Sequence, residues 1–122
     1  MPRRKSREEY DAQDEIASTL QRHFGDVAFE YNIGGYFGLK IDLDIGNGKV
    51  GVEVKLAEPL FQAPQVHRLI GQAFYYQRMR YRDDNLVIAV VGNGDDLQEP
   101  MIRELFSILG DLGIGVVGIR TI

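Results

Sequence analysis

Polar and hydrophobic residues alternate along two neighbouring segments of the chain, Phe37–Ile45 and Lys49–Leu56. Side chains on one face of a β-strand recur with a period of two, so both segments are predicted to be strands. The dipeptide Asn47-Gly48 lies between them and suits the positive φ angles of a two-residue hairpin turn. The pattern therefore predicts an antiparallel β-hairpin that turns at Asn47 and Gly48.

The predicted turn also fixes which residues of the two strands lie opposite each other. Counting outward from it gives the pairs Gly46 and Lys49, Asp44 and Gly51, Asp42 and Glu53, and Lys40 and Lys55. We expect one face to carry the charged side chains and the other to carry Ile41, Leu43, Ile45, Val52 and Val54. Directly opposed carboxylates lie about 5 Å apart and repel each other unless a proton or a cation lies between them. The register therefore predicts a site for a hard divalent cation such as Mg²⁺ at Asp42 and Glu53.

The rest of the chain predicts helices and further strands. The first helix begins at Ser6, where Glu9 completes a capping box, and it ends at Gly25-Asp26. The other predicted elements are a strand at Val27–Ile33, a helix from Gln62 or Pro64 to Tyr81, a buried strand at Leu86–Val91, a loop at 92–96, a helix from Pro100 that Gly113 closes, and a last strand at Ile114–Ile122. The glycines of this last strand indicate either an edge position or close packing. The order α-β-β-β-α-β-α-β predicts one α/β domain over residues 1–122, with a mixed central sheet flanked by helices.

Composition narrows the classes of function that this chain can have. Its 122 residues include no cysteine, which excludes disulfides and thiolate-zinc chemistry. No apolar run approaches membrane-spanning length and the first residues lack the apolar core of a signal peptide, so we expect no membrane partner and a cytoplasmic location. The net charge of -4 requires any nucleic-acid surface to be local. Residues 1–5 form a basic arm, which is expected to be a solvated tail.

Asp42, followed after a short hairpin by Glu53-Val54-Lys55, resembles the signature of the PD-(D/E)XK nuclease superfamily. Ile41 stands where a proline often precedes the acidic residue in that signature. Gln72 followed by Tyr75 or Tyr76 is similar to the Gln-x-x-Tyr element of RecB-like members. The predicted order of elements resembles the restriction-endonuclease-like fold, and the size of the chain is similar to that of archaeal Holliday junction resolvases.

This resemblance implies an endodeoxyribonuclease that depends on Mg²⁺ or Mn²⁺. Asp42, Glu53 and the backbone carbonyl of Val54 would hold the metal ion, and a glutamate of the first helix (Glu9, or else Glu8 or Glu15) would lie near it. Lys55 would orient the attacking water or stabilise developing charge. Gln72 would complete the catalytic set.

The same interpretation names the partners of the chain. DNA phosphates would contact Arg68, Arg78, Arg80 and Arg82, and the basic residues near the amino terminus could add to them. One active site cuts one strand, so a homodimer is expected, through the last strand, the last helix, or the long second helix with its tyrosines at 75, 76 and 81.

Two other interpretations remain open for these residues. The domain could be an inactive nuclease-fold module that acts in nucleic-acid binding or protein assembly. Alternatively, Asp42, Glu53 and Lys55 could form an exposed ladder of ion pairs with no chemical role. Asp44, nearer the turn, is either a secondary metal ligand or a solvated charge.

Overall fold

The computed structural model describes residues 6–34, 38–82 and 84–121. The predicted basic arm at residues 1–5 and the predicted start of the hairpin at Phe37 lie outside the described residues. No helix within the described ranges is long and apolar enough to cross a membrane.

The chain forms one five-stranded mixed sheet with helices on both faces. Its elements are α1 (Arg7–Phe24), β1 (Val27–Gly34), β2 (Leu39–Ile45), β3 (Val50–Leu56), a 3₁₀ helix (Glu58–Phe61), α2 (Ala63–Met79), β4 (Leu86–Gly92), α3 (Gly94–Gln98), α4 (Pro100–Asp111) and β5 (Gly115–Arg120). The sheet order is β1-β2-β3-β4-β5, in which the first three strands are antiparallel and β3, β4 and β5 are parallel. The predicted α/β class with a mixed sheet is confirmed, and the last strand lies at an edge of the sheet, which is one of the two alternatives predicted for it.

Local sequence signals explain where two of the helices begin. The Ser6 hydroxyl accepts a hydrogen bond from the Glu9 N–H and the Glu9 side chain accepts one from the Ser6 N–H, so the predicted capping box is present. The predicted loop at 92–96 is wrong from Gly94 onward, since a short helix begins there. The Asn93 side chain caps this helix by accepting a hydrogen bond from the Asp96 N–H at 2.7 Å.

The sheet separates two hydrophobic clusters. On one face, β4 residues Leu86, Ile88 and Val90 pack with residues of α2 and α4. On the other face, Ala89 and Val91 of the same strand pack in a cluster that includes Ala17 of α1. Of the charged face predicted for the hairpin, Asp42, Asp44 and Glu53 are buried, and the Tyr76 hydroxyl of α2 contacts Glu53.

The predicted hairpin register is confirmed at Asp44, but the predicted pairs at either end of the hairpin, including Asp42 with Glu53, are absent from the β2–β3 pairing. Asp44 lies opposite Gly51 as predicted. The closing pair is Ile45 with Val50 rather than Gly46 with Lys49, because the Lys49 N–H bonds the Ile45 carbonyl and the Gly46 N–H bonds the carbonyl of Asp26.

One predicted side-chain direction is wrong. Ile41 packs in the cluster of α2 and α4, whereas Leu43 and Ile45 pack in the cluster of α1. The change of face coincides with Glu30 of the neighbouring strand β1, whose φ of 49° interrupts the regular pleat. A strict period of two does not hold across such an irregular position.

Candidate active site

Asp42 and Glu53 are buried and bonded to each other's strands. Their residues are 2% and 4% exposed. The Asp42 N–H donates to Glu53 Oε1 at 3.1 Å, and the Val54 N–H donates to Asp42 Oδ2 at 2.7 Å. The backbone pairing of β2 with β3 extends from the turn only to Leu43 and Val52, so these bonds form where the regular ladder stops. An exposed ladder of ion pairs is therefore excluded for the two carboxylates.

Tyr76 of α2 connects this pair to the helix that covers it. Its hydroxyl donates to the Lys40 carbonyl at 2.7 Å and lies 3.3 Å from Glu53 Oε2. Burial, together with the nearby charge of Glu53, raises the pKa of Tyr76, so the phenol keeps its proton at neutral pH. Tyr76 can therefore act as a hydrogen-bond donor that positions β2 and Glu53 against α2.

Lys55 lies beside the carboxylate pair, with its Nζ 3.5 Å from Glu53 Oε2. It also lines a cavity of about 20 Å³ together with Glu9, Arg68 and Gln72. A volume of this size holds roughly one water molecule or ion. The structure thus brings together four residues that the sequence predicts for the site, although Asp42 and Glu53 do not line this cavity directly.

Gln72 presents an unsatisfied acceptor. Its Oε1 atom is buried and has no hydrogen-bond partner among the described residues. A buried acceptor without a partner destabilises a folded protein by about 1–3 kcal/mol. Such an atom is therefore expected to bind a water molecule, an ion or a ligand. The small cavity that Gln72 lines gives that partner a place.

Glu9 is the glutamate of α1 that lies nearest this arrangement. It is 5% exposed and lines the small cavity, whereas Glu8 and Glu15 are exposed and line a different one. Its Oε1 atom also receives the capping-box bonds from Ser6, at 3.3 Å from the N–H and 3.2 Å from the hydroxyl. Of the three alternatives left open by the sequence, the structure brings Glu9 to Lys55 and Gln72.

The residues present fit a hard divalent cation with few protein ligands. Within residues 6–34, 38–82 and 84–121, no group of three or more His, Cys, Asp or Glu side chains is arranged to hold a metal ion. Asp42 and Glu53 form a pair of carboxylates, and Mg²⁺ commonly binds through one or two carboxylates while keeping several waters. The orphaned Gln72 oxygen is a further hard donor close to Lys55.

Asp44 has a structural role that the sequence did not indicate. It is 2% exposed and accepts hydrogen bonds from Arg80 Nε at 2.8 Å, the Gly48 N–H at 3.0 Å, and the Tyr81 hydroxyl. Burial raises the pKa of Asp44, but the bonds from Arg80, Tyr81 and Gly48 together outweigh it and lower the pKa. The predicted solvated charge is therefore wrong, because Asp44 is a buried, fully bonded carboxylate.

The arginines predicted to contact phosphate divide into two groups. The Arg80 guanidinium bonds Asp44 and stacks over the Tyr31 ring, 4.4 Å from its centroid, so its bonds are made within the protein. Arg68 lines the small cavity, and Arg78 and Arg82 are exposed. No sequence signal links Arg80 and Tyr81 to Asp44, since they lie 36 and 37 residues away along the chain.

Comparison of the chain with protein-family models, with curated proteins and with solved structures found no match.

Proposed function

We propose that this protein is a metal-dependent endonuclease that hydrolyses phosphodiester bonds of DNA on a restriction-endonuclease-like fold. One observation carries the proposal: Asp42 and Glu53 are buried side by side where β2 and β3 stop pairing, with Lys55 Nζ 3.5 Å from Glu53. Two buried carboxylates in this position are costly for a purely structural module. A bound cation would neutralise their charge and would place a phosphate group beside Lys55.

The chain's own residues have separable roles in this mechanism. Asp42, Glu53 and the Val54 carbonyl would hold Mg²⁺ or Mn²⁺, which when bound polarises the scissile phosphate and lowers the pKa of a coordinated water. Backbone N–H groups fix both carboxylates, so little reorganisation is needed when the cation arrives. Lys55 stabilises the negative charge that develops on the phosphate or orients the attacking water. Gln72 would offer its Oε1 atom to the water-sized cavity that Lys55 also lines.

Contacts to the DNA backbone come from the side of α2. Arg68 and Arg78 on this helix and Arg82 just after it are exposed cations. Of the three, Arg68 lines the small cavity. Arg80 is omitted from this set because Asp44 holds its guanidinium. With a net charge of -4, binding to DNA should be local and should weaken steeply as salt is added.

A second copy of the chain would let the enzyme cut both strands. Of the tyrosines predicted for the contact, Tyr76 and Tyr81 are buried, and the Tyr75 hydroxyl bonds the Gly34 carbonyl. Exposed apolar residues on the three candidate elements are Phe74 and Met79 of α2, Ile108 of α4 and Val117 of β5. A homodimer through α2, α4 or β5 is therefore part of the proposal.

A nuclease assay tests the proposal directly. Supercoiled plasmid, linear duplex, single-stranded DNA, a four-way junction and RNA would each be incubated with the protein and Mg²⁺, Mn²⁺ or EDTA. We expect cleavage of at least one DNA form with a metal ion, loss of cleavage in EDTA and in Glu53→Gln, and full cleavage by Glu104→Gln. Glu104 is an exposed glutamate of α4 that lines neither cavity, so it controls for loss of one charge. Absence of cleavage on every DNA form with both metals would reject the proposed activity.

A further inference from the structure

A larger groove lies next to the small cavity. Its volume is about 1270 Å³, and it runs between α1 and the carboxyl ends of the parallel strands β3, β4 and β5. Crevices at the carboxyl ends of parallel strands are common binding places in open α/β sheets. The groove and the small cavity share three lining residues, Leu56, Pro59 and Gln65.

The floor of the groove is apolar. It includes Ile16, Leu20, Leu56, Val91 and Ile119, which belong to the α1-side cluster of the core or pack against it. All of these except Val91 are only partly buried, so the apolar floor is reachable from outside. Among the described residues, α1 is the helix that contributes to this cluster. On β5, Val117, which pairs with Ala89, is exposed.

The rim of the groove is acidic. Among the described residues that line it, the acidic ones are Glu8, Asp11, Glu15, Glu58 and Asp96, and Arg120 is the one base. Glu8, Asp11 and Glu15 recur at helical spacing along the exposed side of α1, so three carboxylates follow one wall. A ligand that lies in the groove would meet this charge along its length.

We propose that this groove docks a basic amphipathic segment of a partner protein. Apolar side chains of the segment would rest on Ile16, Leu20 and Ile119, while its lysines and arginines would pair with the acidic rim. Nucleic acid does not suit the groove, because the rim repels phosphate. A second copy also does not suit it, since a two-fold contact would place one acidic rim against the other. This proposal does not rest on the proposed nuclease activity.

A labelled helical peptide with leucines on one face and lysines on the other provides the probe, and fluorescence anisotropy measures its binding. A second peptide carries glutamates in place of the lysines. We expect the basic peptide to bind, to be weakened by salt, and to bind at least several-fold more tightly than the acidic peptide. Equal binding of the two peptides, or no binding of the basic one, would overturn the proposal.

Two triple variants locate the binding to the groove. The rim variant Glu8→Gln, Asp11→Asn, Glu15→Gln should weaken the basic peptide roughly tenfold, since each exposed ion pair contributes up to about 1 kcal/mol. The control variant Asp14→Asn, Glu104→Gln, Asp111→Asn removes equal charge from exposed residues outside the groove and should leave the affinity close to wild type. All six positions are exposed, and circular dichroism checks that both variants fold. Equal weakening by the two variants would show a net-charge effect and reject the site.

Two further measurements test the other occupants of the groove. Deletion of residues 1–5 should leave the peptide affinity unchanged, and a clear gain would mean that the chain's own basic arm occupies the groove. Light scattering of the variant Leu20→Asp, on the α1 side of the groove, should give the same mass as wild type. A dimer that dissociates in this variant would assign the groove to a second copy and overturn the partner proposed here.

Discussion

The main chain of Asp42 donates a hydrogen bond to the carboxylate of Glu53 across 3.1 Å. The Asp42 carboxylate in turn accepts a hydrogen bond from the Val54 N–H. The backbone of β2 therefore holds the carboxylate of Glu53, and the backbone of β3 holds the carboxylate of Asp42. The two acidic groups are thus oriented by backbone atoms, which side-chain substitutions elsewhere leave in place. This allows the charge of each carboxylate to be removed without removing the hydrogen bond.

Asp42→Asn should weaken binding of Mn²⁺ at least about tenfold, because a ligand charge is lost while the amide oxygen still accepts the Val54 N–H. Calorimetric titration measures the affinity. Asp14→Asn, on the exposed side of α1, serves as the control and should bind as wild type does. Unchanged affinity in Asp42→Asn would refute a cation site at this carboxylate pair.

Lys55→Met keeps the aliphatic stem and removes the charge that lies 3.5 Å from Glu53. If Lys55 serves chemistry, cleavage should fall by roughly two to three orders of magnitude while metal and DNA binding persist. In an inactive binding module the same change would instead weaken DNA binding and reduce its salt dependence by about one ion. Single-turnover cleavage and DNA titrations at several salt concentrations distinguish the two outcomes, and a variant unaltered in both would leave Lys55 without a role.

Asp44→Asn should destabilise the fold by about 1–3 kcal/mol, because it removes the buried charge that bonds Arg80 and Tyr81. The pKa of Asp44 is lowered in the folded protein, so its stabilisation is complete above its unfolded pKa of about 3.9 and is lost as the pH falls through the folded value. Urea unfolding at about pH 7 and about pH 3 should therefore show a smaller loss in Asp44→Asn than in wild type. Equal losses in both proteins would contradict the role given to Asp44.

Gly51→Ala should destabilise the protein by about 1–3 kcal/mol through overpacking. A Cβ atom at Gly51 would lie 2.6 Å from the Tyr81 ring and 2.7 Å from Ile41 Cδ1. The matched control is Gly71→Ala in α2, where a Cβ atom meets nothing within 4 Å and a gain of about 0.5–1 kcal/mol is expected. Thermal unfolding of both variants compares them, and similar shifts would show that Gly51 is not a point of close packing.

The proposed homodimer should appear as a doubled mass in light scattering at micromolar concentration. Phe74→Asp on α2, Ile108→Asp on α4 or Val117→Asp on β5 should dissociate it, because each places a charge on an exposed apolar residue of a candidate interface. A monomer in wild type, with and without DNA, would refute this part of the proposal.

The sequence was sufficient to predict features that depend on neighbouring residues. Ser6 with Glu9 predicted the start of α1, and the Asn47-Gly48 turn predicted that Asp44 would lie opposite Gly51. Both rest on local conformational preferences, which operate over a few residues and are visible in the order of residue types.

Features that depend on distant residues could not be predicted in this way. Arg80 and Tyr81 reach Asp44 only because α2 packs across the hairpin, and nothing near Asp44 in the chain encodes that contact. The direction of Ile41 depends on an irregularity beside Glu30, in a different strand. Tertiary packing determines the contacts of Asp44, and a local departure from the ideal pleat determines the direction of Ile41. The alternation of polar and hydrophobic residues predicts neither feature.

The capping box at the start of α1 has a consequence for dynamics. Glu9 Oε1 bonds Ser6, while the same side chain lines the small cavity beside Lys55 and Gln72. A ligand that draws this carboxylate toward the cavity would break its bonds to Ser6 and loosen the first turn of the helix. A ligand that leaves the carboxylate in place would leave the first turn unchanged. The rate of amide hydrogen exchange at Glu9, whose N–H bonds the Ser6 hydroxyl, therefore reports whether a ligand in the cavity has displaced the Glu9 carboxylate.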